Sequence, residues 1–230
     1  MSSSSASTEE KIVKHLEEKY KEEFELESKK EGSEIFANMY GGDKALVYPE
    51  GKPELVFLAG EDRDNKEEFY DTYLLSRWSN ELDAKFKEQI ESEFNDDIDY
   101  KFLLNIADKK YDASMKDLSF TEYVNEKNSD ALVTLKIAIK VSEKPDLEKY
   151  STAILNVYKA LDALQVDMYG VSVGFVEETD ILPDYMRTAN YNNIPWTNLD
   201  AKVYGTIVFD NTRDIQTPED VLDRYKDLEG

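Results

Sequence analysis

Two hydrophobic periods alternate along this chain, and together they constrain its fold more than any single residue does. Tyr100, Phe102, Leu104 and Ile106 are apolar at every second position, as are Val133, Leu135, Ile137, Ile139 and Val141. That is the pattern of strands with one buried face. Tyr70, Leu74, Trp78, Leu82, Phe86 and Ile90 instead recur at every fourth residue within 66–94, and Leu147, Tyr150, Ile154, Val157, Leu161 and Leu164 keep a three-four spacing after Pro145. That is the pattern of amphipathic helices with a stripe to bury. A chain carrying both must lay helices on sheets.

The remaining segments fit the same scheme. Ile12, Val13, Leu16 and Tyr20 mark a first helix over 8–21 that Thr8 is placed to cap, and from Phe24 the period falls to two. Ile35–Tyr40 and Ala45–Tyr48 flank Gly41, Gly42 and Asp43, as in a hairpin with a tight turn. Leu55–Ala59 reads as another strand, Ser119 and Glu122 as the capping box of a short helix, Val171–Phe175 and Val203–Phe209 as late strands, and Thr217, Pro218 and Asp220 as the start of a terminal helix. The expected fold class is α+β, with antiparallel sheets each covered by long amphipathic helices in two similar-sized halves. The expected division is a Ser-rich tether over 1–8, a helix with antiparallel strands and a long helix over 9–95, and a second α+β half over 96–230.

Leu16-Glu17-Glu18-Lys19-Tyr20, running into Glu23-Phe24-Glu25-Leu26-Glu27-Ser28, resembles a segment common in uncharacterised secreted proteins and lipoproteins of Gram-positive bacteria. In those proteins a short helix ending in Lys-Tyr feeds a strand, an extended hairpin and an acidic, aromatic helix. The resemblance covers residues 9–94. The tract Ser2, Ser3, Ser4, Ser5, Ala6, Ser7 and Thr8 is too small and polar to pack. It resembles the start of a mature Gram-positive lipoprotein, with Met1 standing where the lipid-modified cysteine would be. These resemblances imply an extracytoplasmic, lipid-anchored protein, and they bring no catalytic residues with them.

Composition excludes several functions. With 50 acidic against 28 basic side chains the formal net charge is −22, so the surface repels phosphate backbones and anionic headgroups and nucleic acid is not expected as a partner. There is no cysteine, which removes disulfides, thiolate nucleophiles and cysteine-based zinc or iron–sulfur sites. His15 is the only histidine and sits in the charged first helix, so neither a Ser-His-Asp triad nor a multi-histidine metal site has support. The acids of 61–68 fail as an EF-hand read from Asp62, because Lys66 falls at the fifth ligand, Glu67 at the turn glycine and Tyr73 at the closing glutamate. They suit the first turn of the following helix. Asp96, Asp97 and Asp99 likewise lack ligand spacing and read as a solvated turn. No catalytic residue, metal site or cofactor is expected, and the chain is read as a non-enzyme.

The stretch 183–198 is the candidate recognition loop. Tyr185, Arg187, Tyr191 and Trp196 are interleaved with Asn190, Asn192 and Asn193, and rigid aromatics beside adaptable amides are what binding surfaces use. Tyr185, Arg187, Tyr191, Asn192 and Trp196 are the expected binding residues. The structural alternative folds this loop over the sheet with its aromatics in the core. The leading expectation for function is therefore a non-enzymatic extracytoplasmic lipoprotein domain that binds a protein, peptide or cell-wall component. One alternative is an intracellular acidic inhibitor or nucleic-acid mimic that occupies a basic partner. The other is a carboxylate-based hydrolase or calcium-binding module.

Overall fold

The computed structural model describes residues 7–27, 44–62, 65, 68–95, 98–107, 109–192 and 195–228. Residues 1–6 of the tether expected over 1–8, and the hairpin turn expected at Gly41, Gly42 and Asp43 with the strand expected over Ile35–Tyr40, lie outside them, while Ser7 and Thr8 belong to the start of the first helix. The chain is α+β and divides into two compact units, 1–77 with 112–116, and 78–111 with 117–230.

In the first unit, helix α1 (Thr8–Tyr20) packs on a four-stranded antiparallel sheet in the order β1-β2-β3-β4, formed by Phe24–Leu26, Lys44–Pro49, Phe57–Glu61 and Phe69–Asp71. The capping residue is Ser7 rather than Thr8. The Ser7 hydroxyl accepts from the Glu10 amide while the Glu10 carboxylate accepts from the Ser7 amide. Ile12, Leu16 and Tyr20 turn inward, and the rings of Tyr20, Phe24, Phe57 and Tyr73 pack together with centroids 4.7–6.2 Å apart. Buried Asp71 ties this core to polar groups, accepting from Lys19 Nζ (2.6 Å), the Tyr20 hydroxyl (2.8 Å) and the Tyr73 amide (3.1 Å).

Helix α2 begins at Tyr73 and runs to Glu93, later than the period predicts. Phe69–Asp71 is strand β4, and of the acids of 61–68 the described ones lie in β3 (Glu61) or in its connection to β4 (Asp62 and Glu68) rather than in a first helical turn. There Asp62 accepts from the Asn65 amide and Glu68 from the Asn65 side chain. Asp71 accepting from Tyr73, two residues on, is what starts the helix here. The units divide between Arg77 and Trp78, inside α2, and 94–96 belongs to the second.

The second unit holds a five-stranded sheet in the order β5-β6-β7-β8-β9, formed by Ile98–Ile106, Ala131–Lys140, Met168–Val176, Val203–Asp210 and Tyr225–Asp227. β6 and β7 are parallel and the other pairs antiparallel. A parallel pair needs a crossover, and helix α4 (Leu147–Ala160) supplies it. Phe102, Val133, Leu135, Ile137, Val171, Val173, Phe175 and Ile207 bury one face. Phe86 of α2 packs on Phe102, and Tyr150 and Tyr158 of α4 pack on Phe175 and Phe209. Ser119 and Glu122 do form a capping box, on helix α3 (Phe120–Glu126). The terminal helix spans Pro218–Leu222, and β9 after it is a strand that the sequence pattern does not reveal.

Candidate functional site

The polar face of the second sheet decides where the candidate loop goes. In register across β5, β6, β7 and β8 stand Lys101, Lys136, Ser172 and Val208, and beside them Asp99, Ala138, Gly174 and Thr206. Helix α5 (Leu182–Arg187), helix α6 (Ala189–Asn192) and a turn at Trp196–Asn198 cover part of it. Leu182, Tyr185, Met186, Trp196 and Leu199 form a buried cluster with Ala138 and Val176. Trp196 donates from Nε1 to the Ser172 hydroxyl at 3.0 Å, and its ring fills the space where Gly174 would carry a Cβ. Tyr185 and Trp196, two of the expected binding residues, are thus brought together (centroids 5.6 Å apart) as interior side chains.

Between them lies Lys136, 4% exposed. Its ammonium nitrogen is 4.4 Å from the centroid of each ring and donates to the Tyr185 hydroxyl at 2.8 Å. Two cation–π contacts offer about 1–4 kcal/mol together, while removing an ammonium from water costs several kcal/mol. Burial prevails and lowers Lys136 to about 8, and burial also raises the Tyr185 phenol. In sequence Lys136 occupies an outward position of an alternating strand, which reads as solvent-facing. The signal for its burial lies at a distance, in a long connection whose Leu182, Met186 and Trp196 have one sheet face to cover.

The other expected residues diverge. Arg187 pairs within its helix, donating from Nε and Nη2 to Asp184 at 3.0 and 2.8 Å. Tyr191 is half-buried and its amide donates to the Thr188 carbonyl. Asn192 ends α6, and its side chain is outside the described residues. Asn190 is used structurally. Its amide nitrogen donates to the Ser79 hydroxyl and the Phe102 carbonyl, and its oxygen accepts from the Leu104 amide.

In the first unit, a groove of about 390 Å³ opens where α1 ends and β1 begins, lined by Glu17, Lys21, Glu22, Glu23, Phe24, Glu25 and Glu50. Lys21 closes the helix in the left-handed conformation (φ 59°, ψ 38°), turning the chain so that the glutamates on either side face one space. Glu22 accepts from the Tyr73 hydroxyl at 2.7 Å, and Glu25 accepts from the Tyr48 hydroxyl and the Gly51 amide at 3.1 Å each. These bonds hold two carboxylates in place. Glu50 is bound through its amide to the Glu23 carbonyl, and a hydrogen bond to the Glu23 carboxyl together with that group's charge raises it above the usual carboxylate range. Periodicity alone does not mark this groove, and its signal in the sequence is Glu17, Glu22, Glu23 and Glu25 straddling a helix-to-strand junction.

His15 stacks on Phe69 with centroids 4.6 Å apart, and burial followed by the Lys19 charge lowers it. Asp99 lies 3.4 Å from Lys140, while Asp96 and Asp97 are outside the described residues. Among the described residues no group of three or more histidines or carboxylates is placed to hold a metal ion, and no helix is long and apolar enough to cross a membrane.

No protein-family model and no curated protein matches this chain. Among solved structures, it is similar to a DUF5037 family protein from Ruminococcus gnavus, at 16% identity and a TM-score of 0.49, over 87% of this chain and 88% of that one.

Proposed function

We propose that this chain is a non-enzymatic binding module that takes a cationic segment of a protein or peptide partner in the groove of its first unit, on the extracytoplasmic side of a membrane. The observation that carries the reading is the set of five glutamates on one concave surface, in which Glu23 and Glu50 sit close enough to raise the Glu50 carboxyl. A lysine or arginine side chain entering between them relieves that repulsion and gains charge-assisted hydrogen bonds. Glu22 and Glu25 are already oriented by Tyr73, Tyr48 and Gly51, so little side-chain freedom is lost on binding. The Tyr185 and Trp196 rings, the aromatic anchors of the expected recognition loop, are engaged in the interior. The extracytoplasmic address is supported by the Ser-rich tract at 2–7, with attachment through a lipid.

Calorimetric titration of the full chain with a short Lys/Arg-rich peptide, its all-Gln analogue and an acidic peptide tests the site. Binding of the basic peptide alone is expected, weakening at least fivefold in Glu23→Gln/Glu50→Gln and falling with salt. Absence of binding, or equal binding by the double variant, overturns the reading. Fractionation of the producing cells tests the address, for which recovery in the cytosol is the contrary result.

A further inference from the structure

The connection from β7 to β8 runs over 177–202, although adjacent antiparallel strands need only about two to five residues to join. Its described helices cross the sheet toward β5, where Asn190 bonds the Leu104 amide, and Trp196 returns to β7 over Gly174 and Ser172. Beneath this cover, among the described residues, the charged side chain enclosed by both rings is Lys136.

We propose that Lys136 makes the docking of α5 and Trp196 on the sheet proton-dependent, so that acidification loosens this cover and alkalinisation tightens it. The enclosed amine is lowered to about 8, whereas a solvated lysine titrates near 10.4. A proton therefore binds the undocked form more tightly than the docked form, and by linkage protons favour undocking. From these two values the undocking equilibrium falls about tenfold between pH 7 and pH 9, and below pH 7 it levels off because Lys136 is then protonated in both forms. Among the described residues, the titratable and charged groups on the same sheet face and on the covering helices include Lys101 and Asp99 on β5, Asp83 of α2 paired with Lys101, Lys140 on β6 paired with Asp99, Tyr185, Asp184 and Arg187 on α5, and Tyr191 on α6. Tyr185, raised by burial, stays neutral across this range.

Because the chain has no cysteine, a single introduced thiol reports opening without background. Met186 (3% exposed) lies in the cover and Val133 (fully buried) in the sheet. Met186→Cys is labelled with a thiol reagent from pH 6 to 9, each rate divided by that of a free thiol peptide, with Val133→Cys reporting global unfolding. The expected result is labelling at 186 faster than at 133, falling about tenfold from pH 7 to 9, and flat over that interval once Lys136→Met is added. Equal rates at the two positions, or the same pH slope with and without Lys136, overturns the proposal. If Lys136→Met does not fold, an NMR titration of the lysine Nζ groups in the unaltered chain decides. A resonance titrating near 8 supports the proposal, and all lysines titrating near their solvated value overturn it.

Discussion

At Gly174 the missing side chain matters more than backbone freedom. A Cβ built there would stand 2.5 Å from the Trp196 ring, closer than any packed carbon contact. Trp196 also spends its Nε1 donor on Ser172, two residues away on the same face, so the ring cannot retreat without losing that bond. Gly174→Ala is therefore expected to destabilise the fold by about 1–3 kcal/mol, the usual cost of overpacking, with a lower urea midpoint at unchanged slope. A midpoint equal to wild type would show that the ring moves freely. Asp71 is a second such position. Removing its buried carboxylate strands the Tyr73 amide and leaves Lys19 and Tyr20 without it, so Asp71→Ala should cost about 3 kcal/mol, measured in the same way. Neither residue announces itself in the sequence. A glycine in a strand and an aspartate before a helix have many ordinary uses, and only the partner brought from a distance shows which one applies.

Among the elements, β5 carries the outer edge of the second sheet, and that edge is closed by side chains. Asp83 accepts from the Phe102 amide, Ser79 and Asn190 donate to the Phe102 carbonyl, and Asn190 accepts from the Leu104 amide. Groups that would otherwise recruit another strand are thereby occupied. Asp83→Leu/Asn190→Leu is expected to raise self-association relative to the unaltered chain, read as mass by light scattering across a concentration series. Unchanged mass would mean that the edge is guarded by something else. The long helices and alternating strands were legible because their periods are local properties of the chain. The start of α2 lies three residues beyond Tyr70, which fits the four-residue stripe yet pairs with Gly60 in a strand. The parallel β6–β7 pair and the short β9 were not legible, since period says which face a strand buries and nothing about its neighbour. For the same reason the composition of the Tyr185–Trp196 loop marks it as unusual but does not say that its rings turn inward.

For the molecule as a whole, a net charge of −22 means that folding brings many like charges together. Exposed pairs such as Lys14–Glu18 and Lys87–Glu91, both at 3.9 Å, offset little of this. Raising ionic strength from about 0.01 to 0.15 M shortens the screening length from about 30 to 8 Å and should raise the melting temperature by about 2–4 °C for each kcal/mol of repulsion removed. A melting temperature that stays level or falls with salt would show that the acids are balanced locally. The parallel pairing of β6 with β7 has a further consequence, in time rather than in energy. When Lys140 leaves the ribosome, β6 has β5 on one side and bare backbone on the other, and the crossover helix α4, which packs on Phe175 and Phe209 of the same sheet, is not yet made. The partner strand is complete only at Val176, about two to seven seconds later at about 5–20 residues per second. During synthesis that interval is when the nascent chain is most exposed to aggregation, so slower translation across 141–176 should lower the yield of folded protein.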